Sequence, residues 1–400
     1  MSNSLKTTEE YLQKSVESHS RWKTVEIIPW ENSSGLVNIE QNDTTTIGIP
    51  KKLYFSIFKE CHSFWHKYVS PDICGALEKC KCDHNWSRKM YVMTLGFLLT
   101  TNENHTIIKF HENIIWIWIK HLKGASDLMR NEWDIVTTLL SSRLKRINKS
   151  PSLWYWMKKL SVVLIFDKII GDERDYSSEE DPLSNYFLLL DRCFESCRLH
   201  LSNYYAGNFL KFCIRLNNIL LRSELQDSSR VSLREVNDYI ETKLVHSCHE
   251  NLADVSLWTT LEALLESAGT VSASFDYTVD EYNNVVRQLG QPHQIHTHTL
   301  TFSILEKAPS MDIKLFVRTQ LAWLLGVNCS VKTPYISLLR QYRQLDKIDS
   351  EIHSLLSDTI SQEKQKLLHM LQDEDNSLYK LKESFIYTLL DIEQYMLVRD

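Results

Sequence analysis

Turn-forming residues are scarce in this sequence, with 10 glycines and 8 prolines among 400 residues. β-Sandwiches and barrels with tight turns need more of both, which leaves a mainly helical chain. Long apolar runs are missing too. The longest, Ile114 to Ile119, is closed by Lys120 and is too short to span a bilayer, so no transmembrane segment is expected. Residues 1–20 are polar and mixed in charge, unlike a signal peptide. No excess of positive charge exists: 45 Lys and Arg stand against 51 Asp and Glu, a net charge of −6, which excludes a general nucleic-acid binder. The nine cysteines are odd in number and follow no framework spacing, which fits reduced thiols in the cytoplasm, with the nucleus as an alternative. There is no Gly-rich phosphate loop, nucleophile elbow or HExxH helix. The C-terminus carries no lipidation cysteine.

A short pattern recurs four times. It starts at Asn104, Ser150, Asn203 and Asp254, at intervals of 46, 53 and 51 residues. Each of these side chains is of the kind favoured at a helix N-cap, where a short oxygen accepts from an orphan backbone N–H. Pro151 after Ser150 strengthens that start, because Pro at the first helical position loses no needed N–H. Four positions beyond each cap stand Ile108, Trp154, Gly207 and Trp258, and an apolar stretch follows every time. Capped helices that start alike predict stacked helix pairs, an all-α right-handed superhelix of antiparallel pairs with a crescent form like that of tetratricopeptide arrays. The intervals exceed the ~34 residues of a tetratricopeptide repeat itself.

Three segments follow from this pattern. Residues 1–49, with Val25 to Pro29 and the polar stretch Gln41 to Thr46, form an N-terminal flexible or extended arm. Residues 50–270 hold the repeats, and residues 271–400 hold helices that continue or cap the solenoid. Helices are expected at Lys51–Tyr68, Ser87–Leu99, Asp127–Ile147, Pro182–Leu199 and Ser232–His249, then at 311–325, 334–344, 350–372 and 377–396. Ser232 to Glu235 and Thr278 to Glu281 have the form of capping boxes. An acidic loop is expected at Asp172–Asp181, a boundary near Gly269 and a turn at 290–293.

The motif copies, together with Glu26 to Pro29, Leu98 to Asn104 and Lys149 to Pro151, resemble the repeats of protein prenyltransferase α subunits, and a divergent, fungal-like α-type member in particular. The resemblance runs over about residues 22–270. It implies a non-catalytic α-type subunit of a protein prenyltransferase, most simply a geranylgeranyltransferase, acting as a heterodimer with a β subunit. The β subunit would hold zinc and the isoprenoid diphosphate, with no cofactor in this chain. The substrates would be proteins with a C-terminal cysteine. By the same resemblance Lys149 would contact the diphosphate, where a cation stabilises charge on the leaving group, and Tyr204 and Tyr205 would face substrate or partner. The chain departs from the pattern at the family's arginine, whose places hold His111, Met157, Leu210 and Leu261. The alternative reading is a helical-repeat scaffold for protein interactions without prenyltransferase activity.

Other clusters carry less. Cys74, Cys80, Cys82 and His84 offer thiolate and imidazole ligands, but not at a usual zinc spacing, and no metal site is assigned. Cys193 and Cys197 share one helix face. His293, His296 and His298 fall beside Pro292, where a surface loop is expected.

Overall fold

The computed structural model describes residues 5–10, 22–29, 35–41, 44–121, 125–171, 182–223, 227–268, 273–293, 298–300, 311–343, 350–370 and 377–397. Helices dominate these residues, and the fold is the expected all-α arrangement of helical repeats with one small sheet. The acidic loop at 172–181, the boundary near Gly269 and most of the polar start lie outside the described residues.

The sheet lies in the segment expected to be an arm. Strands β1 (Trp22–Ile28), β2 (Val37–Gln41) and β3 (Thr44–Pro50) are ordered β1-β3-β2. β1 pairs parallel to β3, with Val25 opposite Ile47, and β2 pairs antiparallel to it, with Ile39 opposite Thr46. Val25, Ile47 and Ile49 are fully buried, and Thr45 lies on the same side of β3 as the two isoleucines. That alternation is the mark of a sheet with a covered face. Extended chain is readable from these residues; the long-range pairing of 22 with 44 is not.

Helices of 4 to 24 residues make up most of the described residues that follow the sheet. The first helices are α1 (Lys51–Tyr68), α2 (Ile73–Cys82), α3 (His84–Thr100) and α4 (His105–His121). α3 and α4 form a helical hairpin, and α1 crosses α3 at Gly96. A β-carbon at Gly96 would collide with the Cys61 sulfur and approach Ile57 to 3.1 Å, so only glycine permits this crossing. Next come α5 (Ala125–Leu140), α6 (Lys145–Asn148) and α7 (Pro151–Ser161). A π-helical turn, Val162–Phe166, joins α7 to α8 (Asp167–Ile170). The remainder is α9 (Pro182–Leu199), α10 (Tyr204–Arg222), α11 (Asp227–Glu250), α12 (Val255–Ala268), α13 (Ala273–His293), α14 (Ile313–Gly326), α15 (Lys332–Arg343), α16 (Ser350–Met370) and α17 (Ser377–Leu397).

Three local expectations are corrected. The helix expected over 127–147 ends at Leu140, because Ser142 turns away to donate to Val25 O at 2.7 Å and Asn148 Nδ2 takes the Leu140 carbonyl at 2.7 Å. The capping-box sequences at Ser232 and Thr278 lie inside α11 and α13, which start earlier. Residues 290–293 are the last turn of α13 rather than a turn of chain.

The chain divides into two compact units. The first comprises Met1–Leu210, Leu225–Ser232 and Tyr277–Phe302; the second comprises Lys211–Glu224, Leu233–Asp276 and Ser303–Asp400. The first has its core around Trp116 and Trp156, which meet edge to face with centroids 5.3 Å apart. Such a contact adds about 1 kcal/mol to the burial of the rings themselves. The second is centred on Trp258, Tyr335 and Phe385, all fully buried.

Candidate functional site

The four recurring residues all start helices. Asn104 Oδ1 accepts from Ile107 N at 3.2 Å, and Ser150 Oγ from Leu153 N at 3.2 Å. Asn203 Oδ1 accepts from Ala206 N at 3.3 Å. Asp254 Oδ1 takes the N–H groups of Ser256 and Leu257 at 2.8 and 3.2 Å. Pro151 stands at the first turn of its helix. The residues four further on are Ile108, Trp154, Gly207 and Trp258, and all are buried. Trp154 Nε1 donates to Asn148 O at 2.8 Å, whereas Trp258 Nε1 is buried without a hydrogen-bond partner. His111, Met157, Leu210 and Leu261, three residues later again, are buried too; three of them are apolar, and His111 is polar.

Lys149 is half-buried. Its Nζ donates to the carbonyls of Leu201 and Ser202 at 2.6 and 3.2 Å, fastening the chain just before α10. Ser202 has φ of 56°, a left-handed conformation that costs a non-glycine residue about 1 kcal/mol. Tyr204 and Tyr205 open α10 and are exposed, as is Leu201. Lys149 and the two tyrosines therefore occupy one neighbourhood, as a tether beside an aromatic surface.

The first unit also buries a polar cluster that sequence reasoning missed. Glu132 is fully buried and accepts from Tyr91 Oη at 2.8 Å and Trp156 Nε1 at 2.8 Å. His111 Nε2 lies 2.7 Å from the same carboxylate. Burial alone would raise the Glu132 carboxyl; the charge and hydrogen bond of His111, with those of Trp156 and Tyr91, outweigh it and hold the group below its ordinary value. A carboxylate only accepts, so Nε2 is the donor. Thr94 Oγ1 reaches His111 Nδ1 at 2.8 Å. Close by, Lys159 and Glu112 pair at 2.8 Å with both side chains nearly fully buried. Every one of these groups is turned inward, and the cluster holds helices together. The one visible signal in the sequence was His111, the polar residue at a position otherwise filled by Met or Leu.

The cysteine and histidine clusters do not converge. Cys74 and Cys82 are exposed while Cys80 is buried, its thiol donating to Ala76 O at 3.2 Å. Cys193 and Cys197 are both buried on α9. His298 meets Asp167 at 3.1 Å; the His293 side chain and all of His296 lie outside the described residues. Among the described residues no group of three or more His, Cys, Asp or Glu could hold a metal ion, and no helix is long and apolar enough to cross a membrane.

A pocket of about 380 Å³ opens in the first unit between β1, β3, the turn after α5 and the end of α9. Its lining includes four cations, Lys23, Arg143, Arg192 and Arg198, and one carboxylate, Glu195. Ser141 and three threonines of the strands add hydroxyls. Thr24 Oγ1 donates to Ser141 O at 2.7 Å, and Arg192 Nη1 to Lys23 O at 3.2 Å, so the sheet and α9 are joined through the walls.

With this geometry in view, comparisons with known proteins place the chain elsewhere than the prenyltransferases. Residues 1–141 match the ECM9 N-terminal domain, and residues 153–289 match the ECM9 middle domain. Protein ECM9 of Saccharomyces cerevisiae (strain ATCC 204508 / S288c) is 24% identical over 295 residues, which cover 72% of this chain and 65% of that relative. No solved structure matches. The resemblance to prenyltransferase α-subunit repeats is overturned, since the ECM9 domains occupy the residues that carried it. The physical reason is visible in the caps: a short polar residue followed one turn later by a large buried one is what many helix starts require. The transferase assignment goes with the resemblance, as does the ground for a zinc-bearing β partner, an isoprenoid and a diphosphate role for Lys149. Over residues 1–141 and 153–289 the chain is similar, in that order, to the N-terminal and middle domains of ECM9.

Proposed function

We propose that this chain is a helical-repeat scaffold for protein interactions. The observation that supports it is the surface at the start of α10. Leu201, Tyr204 and Tyr205 are 57%, 54% and 43% exposed, and all three belong to one short stretch that Lys149 fastens in place. Tyrosine and flanking apolar side chains on a fixed backbone are the composition of interface centres, because rigid aromatic rings bury large area at small entropic cost. The charged clusters of the first unit's core are committed to packing, whereas this surface faces outward. A reducing compartment, cytoplasmic or nuclear, fits nine cysteines, an odd number at no framework spacing.

The test is site-specific photocrosslinking in cells with a benzophenone amino acid at position 204, at 205, and at exposed Tyr277 as a control. A discrete protein adduct at 204 and 205 but not 277, lost from co-purification in a Tyr204→Ala/Tyr205→Ala variant, supports the scaffold. Adducts that are the same at all three positions sink it.

A further inference from the structure

We propose that the outward face of α1 docks on an anionic lipid surface. The first observation is the pattern of the helix. α1 buries Ile57, Cys61, Phe64 and Trp65 against the body of the first unit. On its other side Lys51, Phe55, Phe58, Lys59, His62 and His66 fall at i, i+4, i+7, i+8, i+11 and i+15, the spacing of one helical stripe. Phe55 is 50% exposed and Phe58 37%. Aromatic rings run along the stripe: Phe55 meets Tyr54 with centroids 6.0 Å apart, Phe58 meets His62 at 4.2 Å, and His62 meets His66 at 6.2 Å. A single exposed apolar side chain needs no explanation. A run of rings does, on a helix whose other face already supplies its packing.

The second observation is charge. α1 carries four lysines and one carboxylate, Glu60. Glu60 is turned away from the stripe: its Oε1 accepts from Thr7 Oγ1 at 3.3 Å, and its Oε2 is buried. Lys51, Lys52 and Lys59 are exposed, and among the described residues no carboxylate pairs with them. The stripe thus presents cations and aromatic rings with no acidic group of its own, which complements a negative surface. The residue types decide which surface. Protein interfaces are enriched in Arg, Tyr and Trp and depleted of Lys. Here the three free cations are all lysine, and the apolar rings on the stripe are phenylalanine. A lysine lays its stem along the lipid boundary and sends its ammonium to the headgroups, while phenyl rings enter the acyl edge. Each lysine held near an anionic leaflet strengthens binding about fivefold.

Cosedimentation of the full chain with vesicles of mixed phosphatidylserine and phosphatidylcholine, and with vesicles of phosphatidylcholine alone, tests this. Binding to the first and little to the second is expected. Lys51→Gln/Lys52→Gln/Lys59→Gln weakens it about a hundredfold, at about fivefold per lysine. Phe55→Ser/Phe58→Ser weakens it about tenfold by removing the inserted rings. Both sets of side chains lie outside the core, so thermal unfolding stays close to that of the wild type. Lys314→Gln/Leu315→Ser, an exposed cationic and apolar pair on α14, leaves binding unchanged. Absence of binding, equal binding to both kinds of vesicle, or a loss in the α14 variant as large as in the α1 variants overturns the proposal. A chain that ignores the vesicles but binds poly-glutamate through Lys51, Lys52 and Lys59 also overturns it, in favour of an acidic protein.

Discussion

The side-chain nitrogen of Asn203 donates to the side-chain oxygen of Asn148 at 2.6 Å, joining the start of α10 to the residue that ends α6. Asn203 Nδ2 also reaches Ser196 Oγ at 3.1 Å while its oxygen caps α10. One fully buried amide thus serves a helix cap and a tie between helices. Asn203→Ala should lower stability by about 2 kcal/mol, the sum of a lost cap and a lost buried hydrogen bond. Asn203→Ser keeps the cap acceptor and should recover about half of that. Urea unfolding followed by tryptophan fluorescence checks both; equal losses for Ala and Ser would show that the cap contributes nothing.

Lys149 and Ser202 make a second pair. Lys149→Met removes the donors that hold the Leu201 and Ser202 carbonyls and should cost about 1 kcal/mol. Ser202→Gly removes the penalty of the left-handed backbone and should raise stability by about 0.5 kcal/mol after glycine's greater unfolded-state entropy is subtracted. The measurement is the shift in melting temperature, and opposite signs for the two variants are the expected outcome.

Acid should weaken the Glu132 cluster. Because the folded carboxyl is held below its ordinary value, its contribution is fully present above the usual carboxylate range near pH 4.3. It fades as pH falls through the folded value. Glu132→Gln should cost about 3 kcal/mol at neutral pH, since the partners of a buried charge are left behind. The gap between wild type and variant should narrow below about pH 4. A gap that stays constant from pH 7 to pH 3 would show that Glu132 carries no charge in the folded protein.

Two tryptophans in the same position of the recurring pattern should respond differently. Trp154→Phe leaves the Asn148 carbonyl with only its long 3.5 Å bond from Asn203 Nδ2, whereas Trp258→Phe removes a buried N–H that has no partner. Both lose ring volume, so the difference isolates the polar atom. Trp154→Phe should be the costlier change by about 1 kcal/mol. Equal costs would mean that the Trp154 hydrogen bond has no net effect.

Helix existence was legible from the chain, and the reason is local. Asn104, Ser150, Asn203 and Asp254 announce helix starts through chemistry that acts within three residues. The same locality misled the family reading, because a cap followed by a buried aromatic describes helix physics more than ancestry. The helix break after Leu140 was hidden, since it depends on Val25, more than a hundred residues away. The sheet was hidden for a similar reason: β1 and β3 pair across an intervening strand. The pocket is the extreme case. Lys23, Arg143, Arg192 and Arg198 share no spacing that a scan of the sequence would register, and only folding collects them.

That assembly has an order during translation. The strands emerge from the ribosome early, yet the wall opposite them waits for Ser141 and is completed only when α9 has been extended to Leu199. Until then Lys23 lies on a sheet whose helical cover is incomplete, and a half-made chain displays an uncovered apolar sheet face and an unpaired edge. Such surfaces are what chaperones recognise on nascent proteins. Synthesis that pauses before Pro182 would therefore prolong chaperone contact with the N-terminal strands, and ribosome profiling of chaperone-bound nascent chains would find that contact ending once α9 is free of the exit tunnel.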